Sequence, residues 1–207
     1  MRGRFITLEG GEGAGKSTQM AHIAEWLEGR GAKVVQTREP GGTKLAEQVR
    51  GLLLDKHNVS LSSQAELLLM FASRSQHLEE LIRPALARGD TVLCDRFTDA
   101  TWAYQGGGRG LPREEIAALE QLVHGDLQPD LTLLLDLPVE EGIKRAAMRS
   151  ESDRFERESV AFFERVRSAY LERAGEESGR FAVIDASQDV EGVWAKIETV
   201  LEERLAT

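Results

Sequence analysis

Cysteine is almost missing from this chain of 207 residues: Cys94 stands alone. A single thiol rules out a disulfide framework, so the fold has to rest on a buried core, and a reducing cytoplasm is the expected compartment. Cys94 itself lies in an apolar run and reads as a buried structural thiol. Positive charge is in deficit, with 26 Lys and Arg against 35 Asp and Glu and a net charge of −9. That balance argues against nucleic acid or an anionic membrane as a partner, yet leaves room for a local basic pocket that takes small phosphorylated ligands. Long apolar runs are lacking too. None approaches the roughly 20 residues that a membrane helix needs, and the N-terminal apolar run meets Glu9 within a few residues, so no signal peptide is expected. His22, His57, His77 and His124 show no metal-ligand spacing and read as surface residues. No repeat, low-complexity tract, interdomain linker or guanine-reading Asn-Lys-x-Asp run is found. The composition, 41% hydrophobic and 29% charged, is that of an ordinary globular protein with one sizeable core.

What is present is concentrated near the N-terminus. Gly10-Gly11-Glu12-Gly13-Ala14-Gly15-Lys16-Ser17 matches the full G-x-x-x-x-G-K-[ST] pattern. It follows a short β-rich run, Arg4 to Glu9, and precedes Thr18 to Leu27, where apolar residues recur at helical spacing. Strand, glycine loop and helix form the context this pattern requires. The glycines let backbone N–H groups turn onto a phosphate, the helix N-terminus adds its positive dipole end, Lys16 adds a point charge and the Ser17 hydroxyl suits Mg²⁺.

The rest of the chain alternates strand and helix. Strands are expected at Lys33 to Arg38, Thr91 to Cys94, Leu131 to Asp136 and Phe181 to Asp185. Helices are expected at about Lys44 to Leu54, Ser63 to Arg88 with a kink or restart at Pro84, Phe97 to Gln105, Pro112 to His124, Val139 to Met148, Ser159 to Ala174 and Val190 to Leu205. Gly106 to Gly110 reads as a mobile loop, and Arg149 to Glu158 as charged and irregular. This alternation means a parallel sheet with helices on both faces, and ligands in such sheets collect beyond the carboxyl ends of the strands. Asp95 and Asp136 both end a strand there, and either could serve a metal beside Ser17. Asp95, followed at once by Arg96, is preferred; Asp136, before Leu137-Pro138, reads better as a helix-capping carboxylate.

Several runs together carry a specific resemblance. Phe5-Ile6-Thr7-Leu8-Glu9-Gly10 enters the glycine loop, Arg38-Glu39-Pro40-Gly41-Gly42-Thr43 follows strand two, and Asp95-Arg96-Phe97 follows strand three. Ala103-Tyr104-Gln105-Gly106 and Asp153-Arg154-Phe155-Glu156 complete the set. The chain is similar, over essentially its whole length, to the bacterial thymidylate kinases of the nucleoside-monophosphate kinase family. The resemblance implies an α/β fold of the P-loop NTPase type, a three-layer αβα sandwich on a parallel sheet of order 2-3-1-4-5, in one domain with a short lid at about residues 145–158. It implies phosphoryl transfer from ATP, with Mg²⁺, to thymidine monophosphate, in a homodimeric cytoplasmic enzyme. An enzyme of the same fold acting on another nucleoside or monophosphate is the alternative, and a nucleotide switch is a further rival. A switch would have no use for arginines aimed at a second phosphate.

Residue roles follow from the same resemblance. Gly10, Gly11, Glu12, Gly13, Ala14, Gly15, Lys16, Ser17 and Thr18 would bind ATP, with Ser17 and Asp95 on the metal. Arg74 and Arg96 would grip the acceptor phosphate in the bidentate fashion that a planar guanidinium allows. Phe71 would stack on the base, although its apolar surroundings alone would make it a core residue. Thr101 and Gln105 would meet the base edge, Tyr104 would crowd a ribose hydroxyl, and Glu9, Glu39 and Arg50 would line the acceptor pocket. Glu12 stands where some members carry a loop arginine, so the lid arginines Arg149 and Arg154 would serve the transferring phosphoryl group, with Arg145 left open. Lys16, Arg96, Arg149 and Arg154 are thus the expected catalytic set. Asp185 to Gln188 would pass beside the adenine.

Overall fold

The computed structural model describes residues 2–58, 61–147, 154–156 and 158–205. Strands β1 (Phe5–Gly10), β2 (Val34–Arg38), β3 (Thr91–Asp95), β4 (Leu131–Asp136) and β5 (Phe181–Asp185) form one parallel sheet of order β2-β3-β1-β4-β5. Every residue of β1 is buried, as a central strand covered on both faces has to be. Side chains alternate across it. Ile6 and Leu8 pack against α1 (Lys16–Gly29) and α9 (Val190–Leu205) through Ile23, Leu27, Ile197 and Leu201. Phe5 points to the other face, where Leu78, Ile82 and Phe97 close a second core. By the same alternation Glu9 falls on the Phe5 face at the carboxyl end of the sheet. The fold thereby buries a carboxylate beside the cleft.

Helix α2 (Lys44–Leu54) has the expected bounds, and Thr43 Oγ1 caps it by accepting from the Ala46 N–H at 3.4 Å. The long helical pattern divides into α3 (Ser63–His77), a π-helical turn at Leu78–Ile82 and α4 (Arg83–Ala87), with Pro84 in the first turn of the restarted helix. Helices α6 (Arg113–Val123), α7 (Val139–Ala147) and α8 (Val160–Glu176) follow near their expected places. No described helix is long and apolar enough to cross a membrane.

Three expectations fail. The run Gly106 to Gly108 is no mobile loop: α5 (Thr98–Thr101) continues as π-helix through Trp102–Gly108 and lies against α8. A Cβ on Gly107 would stand 2.5 Å from the Ala169 Cβ, and one on Gly108 would stand 2.5 Å from the Phe162 ring. These glycines permit close helix packing rather than motion. Among the described residues Asp136 is not seen to cap a helix; its carboxylate accepts from Arg167 Nε and Nη2 on α8 at 2.7 and 2.9 Å. His77 and His124 are not on the surface. Each is buried with a polar partner, Thr37 Oγ1 at 2.7 Å and Thr98 Oγ1 at 3.0 Å, so hydrogen bonding makes burial tolerable.

Candidate active site

The loops after β1, β2 and β3 meet, as a doubly wound sheet requires, around a cavity of ≈250 Å³. Its wall brings together the loop Glu12 to Ser17, then Glu39, Arg50, Arg74, Asp95, Arg96, Thr101, Tyr104 and Gln105. Gly13, at φ +70°, lets the glycine loop touch α7: a Cβ there would stand 2.1 Å from the Gly142 carbonyl oxygen. Lys16 opens α1, and its Nζ donates to the Gly10 and Gly11 carbonyls at 3.1 and 3.0 Å, which seats it along the loop. Burial, and then the nearby Arg96 guanidinium, lower its pKa. Ser17 and Thr18 are exposed beside it.

Arg74 is the most enclosed cation of the site. Its Nε donates to Glu39 Oε2 at 2.6 Å, and its Nη2 donates to the Phe97 carbonyl and Thr101 Oγ1 at 3.2 and 3.0 Å. Its Nη1 is buried with no hydrogen-bond partner among the described residues. A buried guanidinium that keeps an unpartnered donor has the chemistry to bond an anion. Glu39 holds Arg74 in place and also meets His77 Nδ1 at 3.0 Å. Burial works against its ionised form, but Arg74 and His77 outweigh that and hold its carboxyl below the usual range.

Arg96 sits in the left-handed region at φ 68°, a strain that a non-glycine residue adopts only where its surroundings enforce it. Its guanidinium donates to the Gly10 carbonyl at 2.9 Å, Glu12 Oε1 at 2.7 Å, Tyr104 Oη at 3.0 Å and Tyr170 Oη at 3.1 Å. Tyr104 in turn donates to Glu12 at 2.8 Å, and Tyr170 donates to Glu9 at 2.7 Å. Glu9 also accepts from the Phe97 N–H at 2.7 Å. Burial, then the charge of Asp99, push the Glu9 carboxyl up to about 8 despite these donors. Tyr170 on α8 escapes sequence reading because an apolar helix face hides a tyrosine whose hydroxyl does polar work.

The described residues contain no cluster of three or more His, Cys, Asp or Glu placed to hold a metal by themselves. They do suit Mg²⁺, which prefers one or two protein oxygens plus substrate phosphates. Asp95 Oδ1 is buried with no hydrogen-bond partner among the described residues, on the same wall as Ser17. An orphaned carboxylate oxygen beside a phosphate loop fits a divalent cation.

Not every expected residue comes to the cavity. Phe71 packs with Leu67 and Ile116 in a core cluster, with the Arg74 guanidinium 4.8 Å from its ring centroid, and Met70 takes the wall instead. The helical phase explains this: Met70 is four residues before Arg74 and Phe71 three, and the four-residue spacing here meets the cleft. Arg154 is engaged by the Leu53 carbonyl at 2.8 Å and by Glu66 Oε2 at 2.6 Å, not by the glycine loop. Arg149 and Asp153 lie outside the described residues. Arg145 donates to the Ala186 and Ser187 carbonyls at 3.0 and 3.4 Å, next to the segment expected near the adenine. Arg50 donates to the Pro40 carbonyl at 2.8 Å on the cavity wall.

Comparison with known proteins bears on the fold and the family. The family model described as Thymidylate kinase matches residues 8–197. A thymidylate kinase of Chromohalobacter salexigens is 62% identical over 207 residues, covering 99% of this chain and 98% of that one. One from Pseudomonas syringae pv. syringae is 60% identical over 205 residues with the same coverage. The crystal structure of thymidylate kinase from Ehrlichia chaffeensis superimposes with a TM-score of 0.80 at 35% identity, over 97% of this chain and 100% of that one. A phosphate loop facing an arginine with an idle donor, on this sheet order and with these relatives, leads to one conclusion: the chain belongs to the thymidylate kinase family.

Proposed function

We propose that the chain transfers the γ-phosphoryl group of ATP to dTMP, giving dTDP and ADP on the way to dTTP. The nucleophile is an oxygen of the acceptor phosphate. A phosphate monoester is largely dianionic at neutral pH, so no general base is required. The bond from the γ-phosphorus to its bridging oxygen breaks as the bond to the acceptor oxygen forms, and ADP departs with the electron pair. The protein has to bring two anions together and neutralise charge spread over the transferring group.

Lys16 and the loop amides from Gly11 to Thr18 hold the donor phosphates. Arg74, through its idle Nη1, and Arg96, by exchanging Glu12 for phosphate oxygens, align the acceptor. Ser17 and Asp95 would hold Mg²⁺, which would supply charge neutralisation at the donor phosphates. Thr101 and Gln105 meet the base edge over Met70, and Tyr104 borders the sugar with Glu9 and Arg50 nearby. The segment at about 145–158 acts as a lid whose arginines, Arg149 and Arg154, reach the transferring group on closure and exclude water. The site belongs to a single domain in a cytoplasmic enzyme. A homodimer forms through the surface of α2 and α3, where Leu52 and Leu68 are 53% and 57% exposed.

The observation that carries the reading is the buried Arg74 with its unpartnered Nη1, across one cavity from Lys16. The test is ADP release with ATP, Mg²⁺ and a panel of monophosphates. Preferred turnover of dTMP is expected; ADP release that no monophosphate stimulates would refute a kinase, and preference for another monophosphate would refute dTMP.

A further inference from the structure

Glu66 lies outside the phosphate-handling groups, on α3, and is only 1% exposed. It is nonetheless shared by three side chains, Gln105, Arg109 and Arg154. Its Oε1 accepts from Gln105 Nε2 at 2.8 Å and from Arg109 Nε at 3.2 Å, and its Oε2 accepts from Arg109 Nη2 at 3.2 Å and Arg154 Nη2 at 2.6 Å. A carboxylate held between two guanidinium groups only accepts hydrogen bonds. The Gln105 amide therefore has to turn its NH₂ toward Glu66, and its carbonyl oxygen is left for the cavity that Gln105 lines. The side-chain amide is symmetrical in shape, so nothing but its partner decides which end faces the ligand.

One helical turn earlier, Thr101 Oγ1 accepts from Arg74 Nη2, which leaves its hydroxyl proton to donate. The wall thus offers a base one acceptor and one donor. A pyrimidine edge with a protonated N3 and a carbonyl at C4 complements that pair. A cytosine edge, with a bare N3 and an amino group at C4, would set acceptor against acceptor at Gln105.

On this basis we infer that Glu66 is a positioning residue for base selection. By orienting the Gln105 amide it makes the acceptor pocket select dTMP over dCMP, while Arg154 directly, and Glu158 through Arg109, are tied to the same carboxylate. The inference rests on the dTMP reading proposed above and deepens it. Replacing Glu66 by a group that can also donate frees the amide to turn over, and discrimination falls.

The experiment measures kcat/KM for dTMP and dCMP with the full-length wild-type protein, Glu66→Gln and Arg109→Lys. In Glu66→Gln the dTMP-to-dCMP ratio is expected to fall roughly tenfold or more, the size of one lost buried hydrogen bond, through a higher KM for dTMP and measurable turnover of dCMP. Arg109→Lys changes the attachment of the lid segment but not the amide, so its ratio stays within about twofold of wild type on the same scale. An unchanged ratio in Glu66→Gln, or an equal fall in Arg109→Lys, overturns the inference. If Glu66→Gln shows no cooperative melting, Glu66→Asp takes its place: it keeps the charge for the arginines, withdraws the oxygen from Gln105 and carries the same expectation. Failure of the wild-type enzyme to use dTMP would overturn the functional reading and this inference together, whereas wild-type dTMP activity with an unaltered ratio in the variant overturns this inference alone.

Discussion

Glu39→Ala is the perturbation whose consequence follows most directly from the geometry. Glu39 and Arg74 are a buried ion pair, their side chains 3% and 2% exposed and 2.6 Å apart, and the second Glu39 oxygen meets a fully buried His77. Deleting the carboxylate strands a guanidinium whose side chain is only 2% exposed. Breaking such a pair from one side costs about 3–5 kcal/mol, much more than an exposed pair would. For a chain of this size each kcal/mol lowers the melting temperature by about 2–4 °C, so the unliganded variant should melt roughly 6–20 °C below wild type. Glu39→Gln keeps one acceptor and should lie between the two. The same variant reports on the acceptor site. A dianion on Arg74 would return the missing negative charge, so saturating dTMP should raise the variant's melting temperature by more than it raises wild type's. Thymidine, which lacks the phosphate, should not do so. Calorimetric scans with no ligand, with dTMP and with thymidine make the comparison. A variant within about 2 °C of wild type would refute the buried-pair argument on this scale, and equal rescue by thymidine would refute Arg74 as the phosphate's partner.

Other expectations can be tested more briefly. Lys16→Ala should lower kcat by orders of magnitude, because an ammonium aimed at the donor phosphates has no substitute in the loop; near-normal turnover in a steady-state assay would contradict its role. Phe71→Ala and Met70→Ala should behave differently. The first opens a core cavity and costs about 3–5 kcal/mol of stability, whereas the second should chiefly raise the KM for dTMP, and thermal melts paired with kinetics separate them. Glu9 should give the unliganded protein a pH-dependent stability. Its folded pKa of about 8 lies above the usual 4.5, so the native state holds the extra proton between these values. That contribution is complete below the unfolded value and is lost as pH rises toward 8. Glu9→Gln should flatten the fall in melting temperature across this window, and an identical slope in both proteins would count against a protonated Glu9.

How much of this was legible beforehand depended on whether the signal was local. The strand, glycine loop and helix around Lys16 are specified by neighbours in sequence, as are the acidic strand end at Asp95 and the start of α2 at Thr43, and these stand where they are expected. The failures share a different cause. Gly106 to Gly108 looks like a flexible run until α8, about sixty residues onward in the chain, supplies the Ala169 and Phe162 surfaces that require the missing side chains. His77 and His124 look exposed until hydroxyls from Thr37 and Thr98 make their burial affordable. Met70 displaces Phe71 from the cleft because a difference of one residue turns a helix by about 100°, finer than an apolar run can resolve. Glu66 and Tyr170 were invisible because their partners, Gln105 and Arg154 for one and Glu9 and Arg96 for the other, come from distant elements. Both long-range groups act by holding another side chain in one orientation. The phosphate-binding motif is therefore local, while the arrangement that aims it at a particular acceptor is tertiary, and substitutions at Glu39 and Glu66, neither of which touches the glycine loop, should alter acceptor handling while leaving the donor loop intact.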